Sequence, residues 1–276
     1  MKLTLAYSPC PNDCFIFDAI ANKRIDTEGL EFEITLGDVE FLNKQALLNV
    51  FDITKLSFFA YGFALKNYVL LRSGSALGFN CGPLFIKTNG KNLNDLENIK
   101  IAIPGKYTTA HFLLSLAYPQ IKNKKEYLFS DIENAVLNGE VDAGLIIHEN
   151  RFTYENKGLV KIRDLGEFWQ ELIEAPIPLG GIVARRNFEK EMLQTINRVI
   201  KRSIQYAFKY PEIAMDYIRL HAQELNDEVI KRHINLYVNE YSVDLGANGM
   251  EAIELLFSKA EELELIEKRN KSLFID

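Results

Sequence analysis

The sequence predicts an α/β protein made of two similar lobes, and three observations support this fold class. Strand and helix patterns alternate from residue 2 to residue 56, as in a sheet with parallel strands. Residues 46–53 weakly resemble residues 135–143, each copy having a helix end, a turn and a strand that begins after an Asp. Stretches 79–86 and 176–184 combine Gly and Pro with an apolar strand, which is typical of hinge crossings. We therefore expect two α/β lobes, a central cleft and two hinge crossings.

The opening segment has a βαβαβ pattern. The predicted elements are a strand at 2–7, a helix ending at Lys23, a strand at 30–36, a helix at 41–49 and a strand at 51–56. Two prolines in Ser8–Asp13 exclude a regular element between the first strand and its helix, and Asn12 or Asp13 can cap that helix.

The two crossings predict how the lobes are divided along the chain. A large lobe takes residues 1–85 plus 181–276, and a small lobe of residues 86–180 is inserted into it. The small lobe holds an apolar strand at 143–147 that ends at His148. The C-terminal part is predicted to be helical, with a helix capped by Asn187 that closes near residue 210 and further helices at 213–225, 227–238 and 249–264.

Composition excludes several classes of protein. Among 276 residues, 47% are hydrophobic and 25% are charged, which is typical of a folded globular chain. The net charge of -6 disfavours nucleic acid as a partner, and no apolar run is long enough to span a membrane. The start of the chain reaches a polar loop too soon for a signal peptide, and three cysteines suggest reduced thiols. We expect a cytoplasmic protein.

Three segments combine a strand or turn with a helix start that carries hydroxyl or amide side chains. They are Ser8–Asp13, Lys55–Ser57 and Gly105–Thr109. Helix N-termini present N–H groups and the positive end of a dipole, so each segment can hold a carboxylate or another oxygen-rich group. Each also fits simple helix capping. In an α/β protein with two lobes, the carboxyl ends of strands converge on the crevice, which favours binding.

Lys55 lies at or near the end of a strand and could neutralise a substrate carboxylate, or its ammonium could extend to the surface. The sequence has no glycine-rich nucleotide motif, so it indicates no nucleotide cofactor. Cys10 and Cys14 lie four residues apart without a His or a second Cys pair, so we expect buried thiols and no metal site.

Among the four histidines, His148 is the candidate for chemistry. It terminates an apolar strand, and a His in this position faces the crevice with a pKa suited to a general base near neutral pH. A structural role for His148 stays open. Packing or surface exposure is expected for His111, and structural hydrogen bonding for His221 and His233.

Several strings in the chain match a known family. They include SPCPND (8–13), DITKLSF (52–58), TTA (108–110), GEVDAGLIIHE (139–149), DLGEFW (164–169), PIPLGGIVARR (176–186) and HAQEL (221–225). On these strings, which extend over nearly the whole chain, the sequence resembles the 1,4-dihydroxy-6-naphthoate synthase family of the futalosine route to menaquinone. Cys14 departs from the family pattern, which commonly has Thr there.

The resemblance implies a type-2 periplasmic-binding-protein fold used as a cytoplasmic enzyme without cofactor or metal. It implies a lyase that converts cyclic dehypoxanthine futalosine, a small anionic molecule, into 1,4-dihydroxy-6-naphthoate with release of dihydroxyacetone. Carried over residue by residue, the substrate-binding positions are Lys55, Leu56, Ser57, Thr108 and Thr109, and the proton acceptor is His148.

Ser8 and Asn12 complete the predicted substrate-binding set, on the helix-start argument. Two other functions stay open at this point. One is a non-catalytic protein that binds small carboxylates, and the other is an enzyme of the same fold that resembles chorismate dehydratase.

Overall fold

A computed structural model of the chain describes residues 1–222 and 226–275. The chain forms two compact units, which we call unit 1 (Met1–Gly78 with Pro178–Asp276) and unit 2 (Phe79–Ile177). The predicted boundaries fall slightly later along the chain, after residues 85 and 180. The first boundary differs because the strand Leu84–Thr88 pairs only within unit 2, and a boundary after residue 85 would divide that strand.

The first segment of unit 1 has the predicted βαβαβ order. Its elements are β1 (Lys2–Tyr7), α1 (Pro11–Ala21), β2 (Glu31–Leu36), α2 (Val39–Leu47), β3 (Ile53–Ser57), α3 (Phe58–Ala64), β4 (Tyr68–Leu70) and β5 (Ala76–Gly78). β1 is parallel to both β2 and β3, as the alternation predicts. The predicted cap of α1 is wrong: the N-cap residue is Cys10, because Pro11 already occupies the first helical position. Asn12 and Asp13 therefore lie inside the first turn.

Unit 2 is a smaller α/β unit. Its elements are β6 (Leu84–Thr88), β7 (Ile101–Ile103), α4 (Thr109–Ala117), β8 (Lys124–Glu126), α5 (Ile132–Leu137), β9 (Ala143–Ile146), β10 (Leu159–Asp164) and α6 (Leu165–Ile173). The sheet order is β10-β6-β9-β7-β8, so β9 is the central strand. β9 ends one residue earlier than predicted, and a 3₁₀ helix, His148–Phe152, follows it.

The chain returns to unit 1 with a long strand and a helical C-terminal part. The elements are β11 (Ile177–Arg185), α7 (Lys190–Lys209), α8 (Met215–His221), α9 (Asp227–Tyr237), α10 (Glu240–Val243) and α11 (Gly246–Glu262). The N-cap of α7 is Glu189 and not the predicted Asn187. The helix predicted at 213–225 consists of a 3₁₀ turn and α8, and its predicted end at 223–225 lies outside the described residues.

The sheet of unit 1 has the order β2-β1-β3-β11-β4, with β5 paired to β11. α1 and α7 belong to the same buried apolar cluster as β1, and the apolar residues of α7 at 196, 200, 204 and 207 are all buried. Ser203 on α7 donates a 2.6 Å hydrogen bond to the carbonyl of Ile16 on α1. The packing places the first turn of α1 beside the carboxyl ends of β1 and β3. None of the helices in the described ranges is both long and apolar enough to cross a membrane.

Candidate functional site

The predicted site residues divide between the two units, and each group is described by itself. Unit 1 holds Ser8, Asn12, Lys55, Leu56 and Ser57, whereas unit 2 holds Thr108, Thr109 and His148.

In unit 1, three of the predicted residues converge on the carboxylate of Asp13. Ser8 donates from Oγ to Asp13 Oδ2 at 2.7 Å and from its backbone N–H at 3.2 Å. Asn12 Nδ2 donates to Asp13 Oδ1 at 2.9 Å, and Lys55 Nζ lies 3.2 Å from the same oxygen. Sequence reasoning considered Asp13 only as a helix cap. Its position in the first turn of α1 instead makes it the centre of a buried polar cluster.

Lys55 is almost fully buried, with 7% of its surface exposed. The alternative of a lysine that extends to the surface is therefore wrong. Its ammonium is paired with Asp13 and donates a 3.0 Å hydrogen bond to the carbonyl of Gly74. Because an ammonium has three donors, these two partners leave one N–H of Lys55 that bonds none of the described residues and is available to a ligand. The charge of Lys55 is balanced by Asp13.

His233 on α9 extends this cluster. Its Nε2 lies 2.9 Å from Asn12 Oδ1, and the residue is fully buried. Since the amide oxygen can only accept, Nε2 carries the proton of this bond. The sequence predicts structural hydrogen bonding for His233, but it did not indicate that the bond would go to a candidate site residue. No sequence spacing connects positions 12 and 233.

Ser57 is held by a side chain that sequence reasoning missed. The backbone N–H of Ser57 donates to Asn43 Oδ1 at 2.9 Å, and Asn43 Nδ2 donates to Ser57 Oγ at 3.2 Å. The Ser57 hydroxyl accepts this bond and donates to none of the described residues, so its proton is available to a ligand. Leu56 is 1% exposed and its side chain belongs to the core. A contact of Leu56 with the substrate, as predicted, would therefore use its main-chain atoms.

In unit 2, Thr108 is the N-cap of α4. Its Oγ1 accepts from His111 N at 3.2 Å and donates to the carbonyl of Gly105 at 2.8 Å. Helix capping, one of the two expectations for this segment, is therefore what the Thr108 hydroxyl does. Thr109 follows in the first turn and is 2% exposed. The amides of a first turn lack acceptors within the helix, so binding at this helix start would use N–H groups.

His148 has an unusual backbone conformation. It follows the central strand β9 with a φ of 57°, in the left-handed region that costs energy for a residue with a side chain. Its ring lies 5.0 Å from the ring of Phe129, and the residue is partly exposed. Such strained residues are concentrated at functional sites, where the surrounding structure holds them in place.

The segment after His148 is strongly anchored within unit 2. Asn150 donates to the buried carboxylate of Glu133, which also pairs with Lys157 at 2.6 Å. Arg151 donates to Asp164 and to the carbonyl of Gly82, each at 2.6 Å. These bonds give the left-handed turn at His148 a fixed support.

His111 differs from His148 in its surroundings. Its Nδ1 lies 2.7 Å from the carbonyl of Lys106, and burial lowers the pKa of its imidazole. The ring therefore contributes to the start of α4, in agreement with the expected packing role.

Comparison with known proteins shows the family to which the chain belongs. Residues 3–262 match the family model described as menaquinone biosynthesis. The chain is 45% identical over 273 residues to 1,4-dihydroxy-6-naphthoate synthase of Thermus thermophilus, with 99% of each chain covered. It is 39% identical over 263 residues to the protein of the same name from Streptomyces coelicolor, with 94% and 92% covered.

Solved structures show the fold. A protein from Archaeoglobus fulgidus superimposes with a TM-score of 0.90 at 35% identity, covering 96% of this chain and 98% of the other. A Candida albicans protein described as having the generic periplasmic-binding-protein fold has a TM-score of 0.69 at 13% identity, with 98% and 92% covered. An alkanesulfonate-binding protein from Xanthomonas axonopodis, solved with MOPS bound, has a TM-score of 0.73 at 14% identity, with 97% and 94% covered. The predicted periplasmic-binding-protein-like fold is confirmed.

Proposed function

The chain belongs to the menaquinone-biosynthesis family, and from this premise we propose that it is a carbon–carbon lyase that forms 1,4-dihydroxy-6-naphthoate. The proposed substrate is cyclic dehypoxanthine futalosine, and the second product is dihydroxyacetone. The curated relatives that carry the synthase name match over nearly their whole length, which supports the same activity here. The observation that carries the proposal within the structure is the strained, anchored His148 at the end of β9.

In the proposed reaction His148 is the general base. Neutral imidazole accepts a proton near pH 7, and a partly exposed ring can reach a bound molecule. The proton removed is an acidic C–H next to a carbonyl of the substrate. Its removal leads to cleavage of a carbon–carbon bond, and formation of the aromatic naphthalene ring makes release of the product effectively irreversible.

The start of α4 is the proposed stabiliser of negative charge. Proton abstraction next to a carbonyl places charge on the carbonyl oxygen, and fixed N–H groups aimed at that oxygen lower the barrier. Because the Thr108 hydroxyl already bonds the Gly105 carbonyl and the His111 N–H, we assign this role to the backbone amides of the first turn of α4.

The polar cluster of unit 1 is the proposed holder of the substrate's hydroxyl and carboxylate oxygens. Lys55 has one N–H that is not used, and the Ser57 hydroxyl can donate. Asp13 fixes Ser8, Asn12 and Lys55 in place, so it acts as a positioning residue. Since Asp13 balances the charge of Lys55, binding here depends on directed hydrogen bonds more than on net positive charge.

The test is incubation with cyclic dehypoxanthine futalosine while the absorbance of naphthoate and the release of dihydroxyacetone are followed. We expect both products in equal amounts from the wild-type chain. A His148→Asn variant should bind the substrate, measured by calorimetry, but should form product very slowly. The matched control is His221→Asn, which removes an imidazole outside the candidate site and should retain turnover.

The outcomes separate the proposal from its alternatives. Substrate binding without any product from the wild-type chain would show a binding protein and would end the lyase proposal. Turnover by His148→Asn near the wild-type rate would remove His148 as the base while leaving the activity in place.

A further inference from the structure

Unit 1 contains a polar cavity beside the start of β3 and the end of β11, at the opposite end of β3 from Ser57. The cavity has a volume of about 320 Å³ and is lined by four cationic side chains, Lys66, Arg185, Arg186 and Lys271, together with three asparagines. No acidic side chain lines it among the described residues. A concentration of positive charge in a chain of net charge -6 is not a consequence of overall composition.

The strand register shows that this cavity is separate from the substrate-binding cluster of unit 1. In the antiparallel pairing of β11 with β3, Gly180 lies opposite Ser57, whereas Ala184 lies opposite Ile53. Arg185 therefore lies beside the start of β3, and its N–H donates to the carbonyl of Asp52 at 2.9 Å. The predicted substrate-binding residues of β3 lie at the other end of the strand.

The two arginine side chains are fixed by hydrogen bonds that do not use all of their N–H donors. Arg185 donates from Nε to the carbonyl of Phe51 and from Nη2 to those of Asn49 and Val50. Arg186 donates from Nε to the carbonyls of Leu65 and Tyr68 and from Nη2 to that of Ser272. In both cases the bonds to these carbonyls use Nε and Nη2 and leave Nη1 out. Each guanidinium thus has a fixed orientation and retains an amino group for a ligand.

The charges in the cavity are largely uncompensated. Arg185 lies 3.4 Å from Asp52, which is the one carboxylate paired with any of the four cations in the described ranges. Arg186 donates to carbonyl oxygens, which carry no net charge, and Lys66 and Lys271 are exposed and form no ion pair with a described residue. Four cations against one carboxylate leave an excess of positive charge that a small dianion or trianion would neutralise.

We propose that this cavity is a binding site for a compact phosphate-containing anion, such as a diphosphate or a phosphate ester. Guanidinium groups with a fixed orientation match the geometry of phosphate oxygens, and lysines at the rim add charge without a strict geometry. The volume is at the lower end of the range for small-molecule sites, which suits a compact ligand. This site is independent of the proposed lyase activity.

The test is calorimetric titration of the full chain with pyrophosphate, with inorganic phosphate as the smaller probe. We expect saturable binding of one pyrophosphate, weaker binding of phosphate, and weaker binding of both at high salt, since screening reduces exposed charge interactions. Lys66→Gln with Lys271→Gln should weaken pyrophosphate binding about tenfold or more. Both lysines are exposed and unpaired, so this variant should fold normally.

The matched control is Lys23→Gln with Lys122→Gln, which removes the same charge from exposed positions that do not line the cavity. It should bind pyrophosphate as the wild-type chain does. The absence of saturable binding, or an equal loss in both double variants, would overturn the proposal. A loss of pyrophosphate binding in Ser57→Ala would also overturn it, because the anion would then occupy the other end of β3.

Discussion

Lys55 Nζ lies 3.2 Å from Asp13 Oδ1, and this ion pair connects β3 to the first turn of α1. The two side chains are only 9% and 3% exposed. An ion pair so far removed from water is sensitive to the loss of one partner, because the other charge remains buried. The pair therefore links the two segments that the sequence identified separately, Ser8–Asp13 and Lys55–Ser57, in one polar cluster.

We expect removal of either charge alone to destabilise the chain strongly. Asp13→Asn or Lys55→Met should each lower the free energy of unfolding by about 3–5 kcal/mol, measured by urea denaturation. The double variant should lose less than the sum of the two single losses. Glu33→Gln is the control, since its pair with Lys2 is exposed and should contribute little to stability. Additive losses in the double variant would show that the two charges do not interact.

For His148, the choice of substitution matters because of its backbone. Asparagine tolerates the left-handed conformation at φ 57°, whereas alanine adds strain of about 1 kcal/mol or more. We expect His148→Asn to keep the wild-type unfolding midpoint while losing about 10²–10⁴-fold in turnover, the usual contribution of a general base. His148→Ala should lose the same activity and also some stability. Equal unfolding midpoints in the two variants would contradict the proposed strain.

Cys81 is a buried cysteine of unit 2, and we expect it to make the stability of the chain depend on pH in the alkaline range. Burial raises the pKa of the Cys81 thiol from its ordinary value near 9 to about 12. The unfolded chain therefore loses this proton at a lower pH than the folded chain. The contribution of Cys81 to stability is complete below pH 9 and is lost as pH rises from 9 toward 12.

This dependence can be measured by urea denaturation between pH 8 and pH 10.5. The control is Cys81→Ala, in which the part of the slope due to this thiol should disappear. Native Cys81 should also react slowly with a thiol reagent at pH 8 and rapidly in urea, because the reactive species is the thiolate. Rapid labelling of native Cys81 would show that the thiol is accessible.

In unit 2, Gly82 and Gly166 approach each other through their backbones. A Cβ added to Gly82 would lie 2.2 Å from the backbone nitrogen of Gly166, and no flexible side chain is present there to move aside. We expect Gly82→Ala to lower the free energy of unfolding by about 1–3 kcal/mol or more. Gly139→Ala is the comparison, because its Cβ would meet no atom within 4 Å and only its φ of 72° is unfavourable. A smaller loss for Gly82→Ala than for Gly139→Ala would be the contrary result.

Much of the secondary structure follows from local pattern. The alternation in residues 2–7 and 30–36, and the helical spacing of apolar residues between 196 and 207, correspond to β1, β2 and α7. Two of the errors lie at helix starts, where the N-cap residues are Cys10 and Glu189 and not the predicted Asn12 or Asp13 and Asn187. Capping depends on backbone geometry over one or two residues, and several neighbouring polar residues are compatible with it.

The site was predicted less completely, for a reason that can be stated residue by residue. Asn43 holds Ser57 from fourteen positions earlier, and His233 bonds Asn12 across most of the chain. Neither partner lies in a recognisable motif with the residue that it supports. Folding brings the pairs together, so only their final positions show that Asn43 and His233 belong to the candidate site.

The sequence by itself determined the α/β class, the two-lobe division and the segments where polar groups gather, because periodicity and turn residues are local properties. It also indicated the resemblance to the family that the comparisons show. Only the tertiary structure decided that Lys55 is neutralised by Asp13 and that Thr108 is used as a cap. It also placed Arg185 and Arg186 in a separate cationic cavity. These properties depend on which charges and hydrogen-bonding groups meet across the fold.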